Sequence, residues 1–112
     1  MTIHKKNVIG MSYFITIWQY KVKPEKKTEF EKLYGRDGDW VKLFKKNPDY
    51  IKTELINDIN NNDLYLTLDY WKSKKAYFNF KEKSKNEFSE IDKKGEKLTL
   101  NEKHIGEFIS IV

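Results

Sequence analysis

The sequence predicts an α+β fold in which one antiparallel sheet is covered by helices, with elements in the order β-α-β-β-α-β. Residues 13–22 are dense in β-branched and aromatic side chains and alternate as a strand does. Two further alternating runs, 50–59 and 64–71, flank Asn60-Asn61-Asn62-Asp63, residues that tolerate the positive φ of a hairpin turn. Two blocks of helical period stand between the first run and the hairpin, and after it.

Each element has its own punctuation. Pro24 stops the first strand and suits the first turn of a helix, which continues through Phe30, Leu33 and Tyr34 to a C-cap at Gly35. Trp40, Leu43 and Phe44 recur at i, i+3, i+4, with Asp37 or Asp39 as N-cap, and Asn47-Pro48 closes this second short helix. Ser73 caps a helix through Ala76, Tyr77 and Phe80. Ser84-Lys-Asn-Glu87 resembles a capping box that opens another through Phe88, Ile91, Gly95 and Leu98. A last strand is expected over residues 104–111. This order is that of a ferredoxin-like protomer.

The chain of 112 residues fits one domain, expected over 13–112, with the aperiodic residues 1–12 as an appendage. Leu, Ile, Val and Phe make up about 27% of it, enough to build a core. With no cysteine, the chain offers no disulfide scaffold, thiolate metal site or Cys nucleophile, and it suits a cytoplasmic location. It lacks an apolar run of membrane-spanning length, so no membrane partner is expected. The net charge of +5 does not indicate a nucleic-acid partner, because Arg36 is the single arginine and base readout leans on the arginine fork. The nine lysines between Lys72 and Lys97 alternate with acids, as on a solvated helical face.

In the third strand Leu64, Leu66 and Leu68 form one face, and Tyr65, Thr67, Asp69 and Trp71 the other. Helices cover one face of such a sheet. The mixed face, with Trp18, Tyr65 and Thr67, is expected to be buried against a second copy in a homodimer, because exposed aromatic surface marks association.

The segments Trp18-Gln-Tyr-Lys-Val-Lys-Pro24, Phe30-Glu-Lys-Leu-Tyr-Gly35, Gly38-Asp-Trp-Val-Lys-Leu-Phe44, Thr53-Glu-Leu55, Tyr65-Leu-Thr-Leu-Asp-Tyr-Trp-Lys-Ser73 and Lys74-Lys-Ala-Tyr77 together resemble the antibiotic biosynthesis monooxygenase family. The resemblance implies a ferredoxin-like protomer that pairs with its twin into a dimeric α/β barrel, with a pocket between sheet and helices. Some members of that family oxidise polycyclic aromatic substrates with dioxygen and no metal, flavin or haem, and others degrade haem. The haem-degrading relatives use an Asn in the first strand and a His on the helix after the tryptophan that Trp71 matches, and this chain has neither.

Asp69 and Glu54 are strand carboxylates. If they face one enclosed space, either can act as a general base that takes a phenolic proton and leaves an electron-rich anion for dioxygen; Tyr34 is a third candidate for the chemistry. Trp40, Phe44, Trp71 and Tyr77 are the candidate lining for a small apolar or aromatic ligand. His4 and His104 are the only histidines, and His104, at the start of the last strand, is a candidate for proton relay or for an interface. Without clustered histidines, a phosphate loop or an HExxH motif, neither a metal nor another cofactor is expected. The sequence thus points to a cofactor-independent monooxygenase acting on a small phenol or quinol, the alternative being a non-catalytic, small-molecule-binding or stress-related homodimer.

Overall fold

A computed structural model describes residues 12–111, so the expected appendage lies outside the described residues except for Ser12. Strands β1 (Phe14–Val22), β2 (Tyr50–Asn57), β3 (Leu64–Trp71) and β4 (Thr99–Ile109) form one sheet in the order β2-β3-β1-β4. Every neighbouring pair is antiparallel. A short 3₁₀ turn at Pro24–Lys26 leads into α1 (Lys27–Tyr34), followed by α2 (Asp39–Phe44), and α3 (Lys74–Lys83) and α4 (Lys85–Glu96) follow the hairpin. The expected ferredoxin-like α+β order is what forms.

Local chemistry explains where the elements begin and end. Ser73 caps α3 as its sequence position suggested, its hydroxyl accepting the Ala76 N–H at 3.1 Å. Three expected details differ. The N-cap of α2 is Gly38 rather than an aspartate, since its chain packs so closely on the Leu33 carbonyl that a Cβ would lie 2.2 Å from the oxygen. Ser84 precedes α4 but makes no side-chain cap. The hairpin turn closes without positive φ among the described residues, because the Asp58 carboxylate accepts the Asn60 and Asn61 N–H groups at 2.7 and 3.2 Å. That turn also ends β2 at Asn57, before the expected residue 59. Strand β4 begins at Thr99, five residues before the expected start, because the charged run through Lys103 pairs along β1 as an exposed edge.

The core lies between the sheet and the helices and is mostly aromatic. From β1 and β3 come Phe14, Tyr20, Val22, Tyr65 and Trp71, and the helices supply Phe30, Tyr34, Phe44, Tyr77 and Phe88. Phe30 stacks on Tyr34 with centroids 4.3 Å apart, and Trp71 is fully buried among Phe44, Tyr50, Tyr77 and Phe80.

This packing reverses the expected assignment of the faces. Trp18, Tyr65 and Thr67 share the helix-covered face, Tyr65 and Thr67 being 3% exposed. The opposite face carries Ile15, Ile17, Leu64, Leu66 and Leu68, all partly exposed, with Ile56 and Phe108 more open still. Both faces are apolar enough to be buried, so alternation alone could not choose between them. Bulky rings fill the space between a sheet and short helices, whereas a flat aliphatic face suits contact with another flat surface.

Candidate functional site

Between the sheet and the ends of α2, α3 and α4 lies a cavity of about 150 Å³. Strand alternation builds its floor: Thr67 and Asp69 of β3 and Trp18 and Tyr20 of β1 occupy the inward positions. Helical spacing builds its walls. Tyr34 ends α1, Trp40 and Phe44 stand one turn apart on α2, Tyr77 projects from α3 and Phe88 from α4. Lys81, Asp92 and Glu102 rim the opening.

Asp69 is the partly buried acid on the floor of this space. The Tyr50 hydroxyl donates to Thr53 Oγ1 at 2.7 Å, and the Thr53 hydroxyl donates to Asp69 Oδ1 at 2.6 Å. Burial pushes the Asp69 carboxyl up from 3.8 to about 6, with the Thr53 hydrogen bond holding it partly back. A carboxylate of this basicity still ionises at neutral pH and accepts a proton more readily than an ordinary aspartate. The tyrosines are held the other way. Burial raises Tyr20, Tyr34 and Tyr77 above the usual phenol range, so they stay neutral hydroxyls. At the rim, burial also raises Asp92, which Lys81 pulls back, and burial followed by Asp92 and Glu96 raises Glu102.

The structure separates the sequence candidates. Asp69, Tyr34, Trp40, Phe44 and Tyr77 meet around the cavity. Glu54 does not join them: it pairs across from Leu68 on the opposite face, where its carboxylate accepts the Tyr70 hydroxyl at 2.7 Å. The cause is a register shift in β2 between Tyr50 and Lys52, which turns Thr53 inward against Asp69. Trp71 is likewise no lining residue. It is wholly buried beneath the cavity wall as a core aromatic, its indole N–H without a hydrogen bond. Tyr34, raised by burial, is a hydroxyl wall and not a base. His104 lies beside the cavity, its Nε2 3.0 Å from Thr16 Oγ1 and its ring against Trp18 at 4.7 Å.

Sequence reasoning missed Thr53, Thr67, Trp18, Tyr20 and Phe88 as site residues, along with the rim charges. Thr67 shares the parity of Asp69, so the third strand held that signal; the register shift that brings in Thr53 has none. Trp40 adds a polar feature: its indole N–H is buried without a well-formed hydrogen bond and faces the Tyr34 hydroxyl closely enough to hold that group's pKa partly back. Among the described residues no group of three His, Cys, Asp or Glu side chains is arranged to hold a metal ion.

Comparison with known proteins finds one family model and a set of solved structures of the same fold. The model for the antibiotic biosynthesis monooxygenase domain matches residues 13–86. Among solved structures, a conserved protein from Methanosarcina mazei Go1 superposes with a TM-score of 0.65 at 18% identity, covering 93% of this chain and 96% of that one. A mutant of SnoaB, a cofactor-independent oxygenase from Streptomyces nogalater, superposes with a TM-score of 0.70 at 17% identity, covering 86% and 90% of the two chains. A protein from Pseudomonas aeruginosa gives 0.65 at 13% identity, with 92% and 98% covered. No curated protein matches the sequence.

Proposed function

Because the chain belongs to the antibiotic biosynthesis monooxygenase family, we propose that it binds a small phenol or quinol in the aromatic cavity and oxidises it with dioxygen, Asp69 serving as general base. The observation that carries this reading is the Asp69 carboxyl, raised to about 6, on the floor of a cavity walled by Tyr34, Trp40, Phe44 and Tyr77, with the other two lining carboxyls, Asp92 and Glu102, at the rim. The SnoaB likeness supports the reaction type, since that protein is a cofactor-independent oxygenase.

The chemistry balances on the substrate's own electrons. Asp69 takes the phenolic proton, and the phenolate passes an electron to dioxygen. The resulting radicals join at the para carbon to give a peroxide. Loss of the para C–H proton with cleavage of the O–O bond leaves a quinone, and the outer oxygen departs as water with the proton returned by Asp69. Phenol plus dioxygen thus yields quinone plus water, a four-electron oxidation matched by four-electron reduction of dioxygen. The neutral Tyr34 hydroxyl, beside which the Trp40 N–H is placed, is a donor suited to the anion that forms.

The same reading includes a homodimer joined through the aliphatic face of Ile15, Ile17, Leu66 and Leu68 and residing in the cytoplasm. Among the described residues no helix is long and apolar enough to cross a membrane. The test is dioxygen uptake by the purified protein across a panel of phenols and quinols. Uptake should occur with at least one, and Asp69→Asn should slow it by roughly 10²–10⁴-fold, the usual range for a lost general base. No uptake with any member of the panel would reduce the protein to a ligand-binding dimer.

A further inference from the structure

Gly95 lies inside α4, where a glycine is less favourable than alanine because of its backbone freedom. Its conformation does not require glycine, since no described glycine has positive φ. Space does require it. A Cβ at this position would fall 2.1 Å from the Tyr34 hydroxyl oxygen and 3.1 Å from the ring carbon that bears it. The bare Cα of Gly95 is therefore the seat on which the Tyr34 hydroxyl rests.

Tyr34 cannot yield cheaply in most directions. Its ring is 4% exposed, stacked on Phe30 at 4.3 Å and packed on Tyr20 at 4.8 Å. Tyr34 also borders the cavity, so a ring lifted off its seat changes the shape of the cavity. The cavity's free space is about 150 Å³ and opens at the charged rim; a closed apolar cavity of this size holds one benzene ring.

Resting on the phenol reading of this site, we propose that the cavity selects substrates with a single aromatic ring, and that Gly95 is the positioning residue that sets this limit by seating Tyr34. A second ring must lie toward the rim, among Lys81, Asp92 and Glu102, where Phe88 is the one aromatic side chain shared with the adjoining surface groove.

The experiment is calorimetric titration of anaerobic protein with phenol and with 2-naphthol, on the wild type, G95A, Y34F and G95A/Y34F. Burial of apolar area alone favours naphthol. The proposal predicts the reverse, with phenol bound at least tenfold more tightly by the wild type. G95A should weaken phenol at least tenfold in the wild-type background and leave it unchanged relative to Y34F alone when added to Y34F, because without the hydroxyl only a contact of 3.1 Å remains to be eased. In the absence of ligand, G95A should lower Tm in the wild-type background and not in Y34F. Should G95A fail to fold, G95A/Y34F decides: it must fold and prefer phenol, and its failure to do either overturns the proposal. Equal or tighter binding of 2-naphthol by the wild type, or phenol binding indifferent to G95A, overturns this inference alone. A wild type that binds neither probe overturns it together with the phenol reading.

Discussion

Replacing Asp69 by Asn should make the protein more stable while disabling it. The folded-state pKa of Asp69 is raised from 3.8 to about 6 by burial, so the folded protein holds this proton more tightly than the unfolded chain. The contribution of the group is therefore fully present below about pH 4 and is lost as pH rises through 6. A rise of about two units corresponds to about 3 kcal/mol at ~1.4 kcal/mol per unit. Asn keeps the shape and can still accept the Thr53 hydroxyl through its amide oxygen, but it never ionises. Urea titrations of both proteins at fixed concentration from pH 4 to 8 should show Asp69→Asn ahead by up to about 3 kcal/mol at pH 8. The gap should close as pH falls to 4. A variant less stable than wild type at pH 8, or a gap independent of pH, would refute the view that Asp69 is held as a desolvated carboxylate.

Other substitutions test the remaining contacts. Thr53→Val removes the hydroxyl that donates to Asp69, so the Asp69 pKa, followed by carboxyl NMR, should rise by about one unit or more, since a hydrogen bond to a charged group is worth ~1.5–3 kcal/mol; an unchanged titration would show that this bond does not tune it. Trp71→Ala should cost roughly 3–5 kcal/mol in denaturant titrations with little change in phenol affinity, as befits a wholly buried ring outside the cavity; unchanged stability would be inconsistent with the core assignment. Leu68→Lys should convert a dimer to a monomer in sedimentation velocity by placing an unpaired charge on the aliphatic face, and a dimer that survives would move the interface elsewhere. Thr67→Lys, by contrast, should unfold the protomer, because Thr67 is 3% exposed beneath the helices.

The fold was legible because its signals are local. The alternation in β3, Pro24 at the first turn and the Ser73 cap each act over a few residues, and the structure repeats them. The site was legible only where helical or strand spacing decides direction. Trp40 and Phe44 had to share a face, and Asp69 had to share one with Thr67. Glu54 and Thr53 exchanged roles because one register shift in β2 reverses the parity of the strand after it. The choice between the two sheet faces depended on which one the helices cover, a tertiary outcome that alternation between an aliphatic and a mixed aromatic face does not encode. The seat of Tyr34 on Gly95 joins residues 61 positions apart in a chain where nothing local marks the pair.

The central claim is that the Asp69 carboxylate removes a proton from a bound phenol, and the pH dependence of dioxygen consumption tests it most directly. With a phenol that turns over, kcat/KM should fall about tenfold per unit below pH 6 and level off above it, following the carboxyl at about 6. In Asp69→Asn that limb should disappear along with roughly 10²–10⁴-fold of the rate. A wild-type profile flat from pH 5 to 7, or an Asp69→Asn variant with undiminished turnover, would contradict it.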